Sequence, residues 1–253
     1  MAVMQSLLKM RFKAVVCGIT LFVAEACGLA VPPEAATNTP LRLLVVTGGH
    51  DYPTSFYTLF EDPARFEWDH AISNHEAFRS DLRAKYDVLV LHDSSTEISE
   101  AERKNLTDFT KANKGIVVLH HAIVDYPDWE WWWRDVVGGK YLVRSEGGMP
   151  ASTYLHDQEL SVEPVGKHPI LTGIGLMRIN DETYKGMWIS PQVKVILKTD
   201  HSTSDGPVAW VSPFRDSRVA FIQLGHGELA HRHAGYRRLV RNAILWSGER
   251  PTR

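Results

Sequence analysis

Three short apolar, β-branched runs, each ending abruptly in glycine or polar residues, constrain this chain more than any other feature. Leu43-Leu44-Val45-Val46-Thr47 runs into Gly48-Gly49. Residues 86–92 (YDVLVLH) run into Asp93, and Gly115-Ile116-Val117-Val118-Leu119 runs into His120-His121. Apolarity that is continuous rather than alternating marks strands covered on both faces, as in a parallel sheet. Between the runs, residues 55–65 fit a helix and residues 66–71 alternate like a strand. Ser99 with Glu102 forms a capping-box pattern that opens a helix to about Asn113. Strands alternating with helices at this spacing predict right-handed βαβ units. Residues 152–164, 193–199, 207–211 and 218–223 read as further strands, and residues 236–247 as a closing helix. With 44% hydrophobic residues and no second linker or repeat, one α/β domain over residues 41–250 is expected.

The N-terminus reads differently. Lys9, Arg11 and Lys13 precede an apolar run over residues 14–24, and small residues offer cleavage after Ala26 or Ala30. The run is about 11 residues, too short for a bilayer core that needs ~20. Residues 1–30 therefore read as a signal peptide and residues 31–40 as a linker, which implies a periplasmic or extracellular destination without a transmembrane span. An amphipathic tail with no address is the alternative, and Ala24-Glu25-Ala26-Cys27 loosely resembles a lipoprotein cleavage site. The only cysteines are Cys17 and Cys27. Cleavage after Ala30 leaves a chain with no disulfide, thiolate metal site or cysteine nucleophile. Setting those thirty residues aside leaves 25 basic against 29 acidic side chains. That balance gives no electrostatic case for nucleic acid or an anionic membrane.

Open parallel sheets bind ligands outside the carboxyl ends of their strands. After the first run come His50, Asp51 and Tyr52; after the second, His92 and Asp93; after the third, His120 and His121; after residues 218–223, His226. A single histidine at such an exit is commonly a turn residue bonded to a backbone carbonyl. Four exits with histidine point to a shared site, where imidazole serves as acid, base or metal ligand near neutral pH. Asp181, Glu182 and Tyr184 add carboxylates and a phenol on what reads as a loop after Gly173 and Gly175. Asp181 reads as a cap and Glu182 as the site carboxylate. The tract Trp129-Glu130-Trp131-Trp132-Trp133 cannot face one core entirely. Either one ring lies at a rim, where it can stack on a sugar or a partner, or the tract packs an insertion against the sheet edge. Trp210 is expected to line the pocket, because its strand lies beside the one that leads to His226.

Taken in order, VVTGGHDYP (45–53), YDVLVLHD (86–93), GIVVLHHAI (115–123), VVGGKY (136–141), HPIL (168–171), INDETY (179–184), PVAWV (207–211), RVAFIQLGH (218–226) and NAILWSGE (242–249) resemble the ThuA-like, trehalose-utilisation family. The resemblance implies a class I glutamine amidotransferase-like, flavodoxin-type fold: a three-layer sandwich on a mostly parallel central sheet. In the amidotransferases the turn after the GIVVLHH-type strand is a nucleophile elbow that bears cysteine. Here that turn carries His120 and His121, with His121 expected at the elbow, so glutamine hydrolysis through a thioester is excluded for the cysteine-free chain.

The resemblance further implies carbohydrate metabolism, with a disaccharide such as trehalose, or a 3-keto-glycoside, as the small-molecule partner. On that reading His50, His121, Glu182 and His226 are catalytic, and Asp51, Tyr52, His120, Tyr184 and Trp210 contact the substrate. A divalent, zinc-like ion, if bound, would sit on His50, His121 and His226, although the spacing is long-range with no HExxH signature. Ordinary glycosidase chemistry would need two carboxylates, drawn from Asp51, Asp93, Asp125 and Glu182. A non-catalytic carbohydrate-binding module and a metal-dependent hydrolase of another substrate class are the alternatives.

Overall fold

A computed structural model describes residues 39–249. The expected signal peptide and the linker up to residue 38 lie outside that range. The first three apolar runs form the parallel half of a nine-stranded sheet. Strand β1 (Leu41–Gly48) pairs with β2 (Phe66–Ala71) on one side and β3 (Val88–Asp93) on the other, and β3 pairs with β4 (Gly115–Leu119), all parallel. The two-residue strand β5 (Gly139–Lys140) lies outside this sheet. Strands β6 (Thr153–Pro164) and β7 (Met177–Lys185) pair antiparallel, and the short β8 (Trp188–Ile189) pairs only with β5. Strands β9 (Lys194–Thr199), β10 (Pro207–Val211) and β11 (Val219–Ile222) complete the order β2-β1-β3-β4-β11-β10-β9-β6-β7. Strand β11 is parallel to β4 but antiparallel to β10, so the sheet changes character at β11.

Strand alternation sorts the apolar runs into two cores. Leu43, Val45, Val88, Val90, Val117 and Leu119 face the long closing helix (Ala234–Gly248) and its Leu239, Val240, Ala243 and Ile244. Leu44, Val46, Leu89, Leu91, Ile116 and Val118 face the opposite layer, built from Phe78, Leu106, Phe109, Trp132 and Val136. A strand buried on both faces has no polar alternate positions, which is why these runs are continuous. The result is the three-layer α/β sandwich that the sequence implies.

Two local expectations change, one is met and one open alternative is settled. Residues 55–65 form a 3-10 segment, Thr54–Phe60, and no longer helix; Asp62 precedes Pro63, and a residue before proline is driven away from helical backbone. The capping box is present as read: Ser99 N donates to Glu102 Oε2 at 2.8 Å, and the helix runs Glu100–Thr110. Asp181, Glu182 and Tyr184 lie within β7 and not on a loop. The tryptophan tract leads into a π-helical turn, Trp131–Val137, closed by Gly138 at φ 76°. Trp132 enters the core, Trp131 meets Phe214 edge-on and Trp133 meets Trp188 edge-on, so the tract packs rather than projects. Among the described residues no helix is long and apolar enough to cross a membrane.

Candidate active site

The exits of β1, β3, β4 and β11 lie along one rim because these strands run in parallel. Tight backbone turns bring them there. A Cβ on Gly49, at φ 78°, would lie 2.1 Å from the Ser94 carbonyl oxygen, so only glycine lets the β1 exit pass the β3 exit this closely. After β4 the chain turns sharply at His120, which holds φ 50° although it carries a side chain. Left-handed backbone at a non-glycine residue stores strain that surrounding contacts must hold. The elbow position therefore belongs to His120, not His121.

Strand β7, four places from β11 in the sheet order, nevertheless reaches the rim. Asp181 Oδ2 accepts from Gly225 N at 2.8 Å, and its Oδ1 accepts from His226 N at 3.0 Å and Glu182 N at 2.8 Å. The twisted antiparallel half thus curls back over the carboxyl ends of the parallel strands. Asp181 is a cap, as the sequence suggested: it satisfies three backbone donors and ties β7 to the β11 exit.

Glu182, adjacent, points into the histidines. Its side chain is only 2% exposed, and its Oε2 lies 3.0 Å from His120 Nε2, 3.3 Å from His226 Nδ1 and 3.8 Å from His121 Nε2. His120 Nδ1 donates to the Gln223 carbonyl at 2.6 Å. That bond keeps a proton on Nδ1, so Nε2, 3.1 Å from His226 Nδ1, carries a lone pair in the neutral ring and a proton in the imidazolium. Four ligand-type atoms, from His120, His121, Glu182 and His226, lie within 4.8 Å of one another. Among the described residues, Glu182 Oε2 and His121 Nδ1 are buried without a well-aligned hydrogen-bond partner. Burial alone would raise the Glu182 pKa, but protons on the facing His120 and His226 nitrogens outweigh it and hold the carboxyl well below its ordinary range. The Glu182 contact raises His226, whereas burial and neighbouring imidazoles push His121 far down. The site therefore holds a carboxylate, one histidine favoured as a cation and one kept neutral.

The sequence-selected residues divide clearly. His120, His121, Glu182, His226 and Tyr184 come together, with the Tyr184 hydroxyl 3.3 Å from His120. His50 packs its ring on His121 at 3.9 Å between centroids, but its nitrogens face the Asp51 and His92 carbonyls at 2.9 and 3.1 Å. It brings no nitrogen to the cluster, so His120 replaces it in the expected ligand set. Tyr52 sits behind His50, donating to Thr47 Oγ1 at 2.8 Å, and Asp51 is exposed. Trp210 is not in the pocket. It is fully buried, with its indole N–H on the Val137 carbonyl at 2.9 Å and its ring against Phe221. Asp93 and Asp125 are buried and both bonded to Ser95, and among the described residues neither is in the set of side chains that meets Glu182.

With the geometry in hand, comparison with known proteins decides the family. The trehalose-utilisation family model matches residues 42–247. The chain belongs to the ThuA family. A ThuA-like protein of Parabacteroides merdae is similar in structure, at TM-score 0.72 and 16% identity, over 83% of this chain and 90% of that one. A ThuA-like protein of Bacteroides uniformis gives TM-score 0.65 and 17% identity over 85% and 94%. PurLQS from Thermotoga maritima shares the fold at TM-score 0.55 and 12% identity, over 82% and 99%. No curated protein matches the chain. Membership in the ThuA family carries a carbohydrate-related role, and the amidotransferase-like scaffold here presents histidine at its elbow.

One residue of this ThuA site escapes a reading of strand exits. His156, on β6, places Nδ1 3.5 Å from Glu182 Oε1 and its ring 4.4 Å from that of His226. The one mark in the sequence is Asp157, a residue type that tolerates left-handed backbone, set within the strand at a bulge, with φ 56°. Bulges of this kind recur beside active sites.

Proposed function

We propose that this chain is an enzyme acting on a small carbohydrate, a disaccharide such as trehalose or a 3-keto-glycoside, with Glu182 as its working base. The observation that carries the reading is the buried Glu182 carboxylate with three imidazole nitrogens within 3.8 Å of one oxygen. Such convergence is costly to build and has no structural use in a core already full of apolar contacts. Glu182 is ionised at neutral pH, the form that can accept a proton, for example from the acidified carbon beside a 3-keto group once substrate displaces its imidazole partners. His226, favoured as the imidazolium, donates to the oxygen on which charge develops. Tyr184 and Gln223 hold the His120 ring in orientation.

The same atoms fit a divalent metal. With its Nδ1 proton on Gln223, His120 points a lone pair at the Glu182 oxygen, and like lone pairs at 3.0 Å need a proton or a cation between them. His120, His121, His226 and Glu182 would hold a zinc-like ion, a donor set of neutral imidazoles and one carboxylate. When bound, such an ion supplies Lewis-acid polarisation or an acidified water. The exported location read from residues 1–30 belongs to the same proposal, which puts the domain where extracellular sugars are met.

Incubating the purified protein with trehalose, its 3-keto form and a panel of other glycosides tests the reading. Release of a free monosaccharide from at least one member is the expected result. No change in any member contradicts it and favours a module that binds sugar without turnover.

A further inference from the structure

Strand β6 pairs with β9 only over Val162–Pro164, so along residues 153–158 it borders β7 alone. In that free-edged stretch the register slips. Tyr154 faces Tyr184 and Leu155 faces Thr183, but Gln158 faces Asp181, so His156 and Asp157 together oppose Glu182. Asp157 absorbs the extra residue with φ 56°. The bulge turns His156 toward Glu182 and His226 while Tyr154 keeps its place across from Tyr184. Directly opposed residues of an antiparallel pair share a face, and so do residues two apart on one strand. Tyr154, Tyr184 and Glu182 therefore lie on the same side of the β6–β7 ribbon.

The consequence is a ladder of rings leading from the buried carboxylate to solvent. His226 meets His156 at 4.4 Å, and His156 meets Tyr154 edge-on at 5.1 Å between centroids. At the outer end Tyr154 is 54% exposed and its neighbour Leu155 49%. An aromatic face left open at the mouth of a polar, histidine-lined site is suited to the apolar C–H face of a pyranose.

Resting on the enzyme reading above, we propose that Tyr154 and His156 form a sugar-stacking subsite beside Glu182 that makes the site selective for disaccharides over monosaccharides. A glycoside with one ring at Glu182 brings its second ring over Tyr154, one ring-to-ring step beyond the histidine that touches the carboxylate. A monosaccharide held at Glu182 does not reach it.

Calorimetric titration with trehalose and with glucose, on the wild type, Tyr154→Ala and Tyr154→Phe, tests the subsite, with glucose release from trehalose followed on the same samples. Tyr154→Ala is expected to weaken trehalose about tenfold, ~1.4 kcal/mol, while glucose affinity and melting temperature stay unchanged. Tyr154→Phe, which keeps the ring, should stay within about twofold of wild type, a difference well under 1 kcal/mol. A trehalose-to-glucose affinity ratio unmoved by Tyr154→Ala overturns the subsite, even where the wild type releases glucose and the enzyme reading stands. Equal loss for both sugars, or no trehalose binding by the wild type, also overturns it. Trehalose binding that depends on Tyr154 without any glucose release supports the subsite and removes the enzyme reading instead.

Discussion

At the scale of single residues, Glu182 and the nitrogens around it explain one another: the carboxylate would be too costly to bury without them, and His226 gains its proton affinity from it. If the cluster holds a divalent ion, elemental analysis of protein purified without chelator will find close to one equivalent, and His120→Ala will lose most of it. Chelation should lower the melting temperature, since a ligand at about 100 times its Kd stabilises by ~2.7 kcal/mol. A chelator-insensitive melting curve with no stoichiometric metal would sink the ion and leave the proton-transfer reading intact. Trp210 makes a different prediction at this scale. Its packing and its bond to Val137 imply that Trp210→Ala costs ~3–5 kcal/mol of stability, measurable by urea unfolding. A pocket role would instead change sugar affinity at constant stability.

Two devices at the scale of elements hold the rim together. The β11 exit depends on Gly225, at φ 120°, where a Cβ would lie 2.1 Å from the Tyr236 hydroxyl. Gly225→Ala should therefore cost ~2 kcal/mol or more and disturb His226, whose N–H bonds Asp181. The second device is the buried pair Asp93–Asp125. Ser95 Oγ donates to Asp93 and Ser95 N to Asp125, each at 2.7 Å, which fastens the β3 exit to the turn after the elbow. Burial raises Asp93 to about 6 and Asp125 further. A folded pKa above the unfolded value of ~3.9 means that the folded state holds the proton more tightly. The contribution of Asp93 is then complete below pH ~4 and is lost as pH rises through about 6, and that of Asp125 is lost at higher pH. Asp93→Asn, which never ionises, should gain on the wild type by on the order of 2 kcal/mol between pH 4 and pH 8. Parallel stability profiles for the two proteins would show that Asp93 does not titrate in this range.

Across the whole molecule, what was legible in the sequence followed from burial. The parallel strands announced themselves because both faces are covered, and their exits carried three of the four histidines that meet Glu182. Strand β7 did not, because its centre holds Asp181, Glu182, Thr183 and Tyr184, all buried for the sake of the site. A composition so polar reads as a loop unless the partner that buries it is known. Trp210 shows a second limit. The adjacency of its strand to β11 was read correctly, but which face the ring takes is a one-residue parity question that neighbours settle. His156 shows a third, because its position depends on a register slip between two strands.

Glu182 is the group on which the proposed chemistry rests, and the most direct measurement compares turnover by the wild type and Glu182→Gln on whichever glycoside of the panel is consumed. Gln preserves the shape and removes the charge. The prediction is a loss of turnover of about 10²–10⁴-fold, the usual worth of a general acid or base, with sugar binding close to wild type and the fold intact by circular dichroism. Turnover retained within a few-fold in Glu182→Gln would contradict the account.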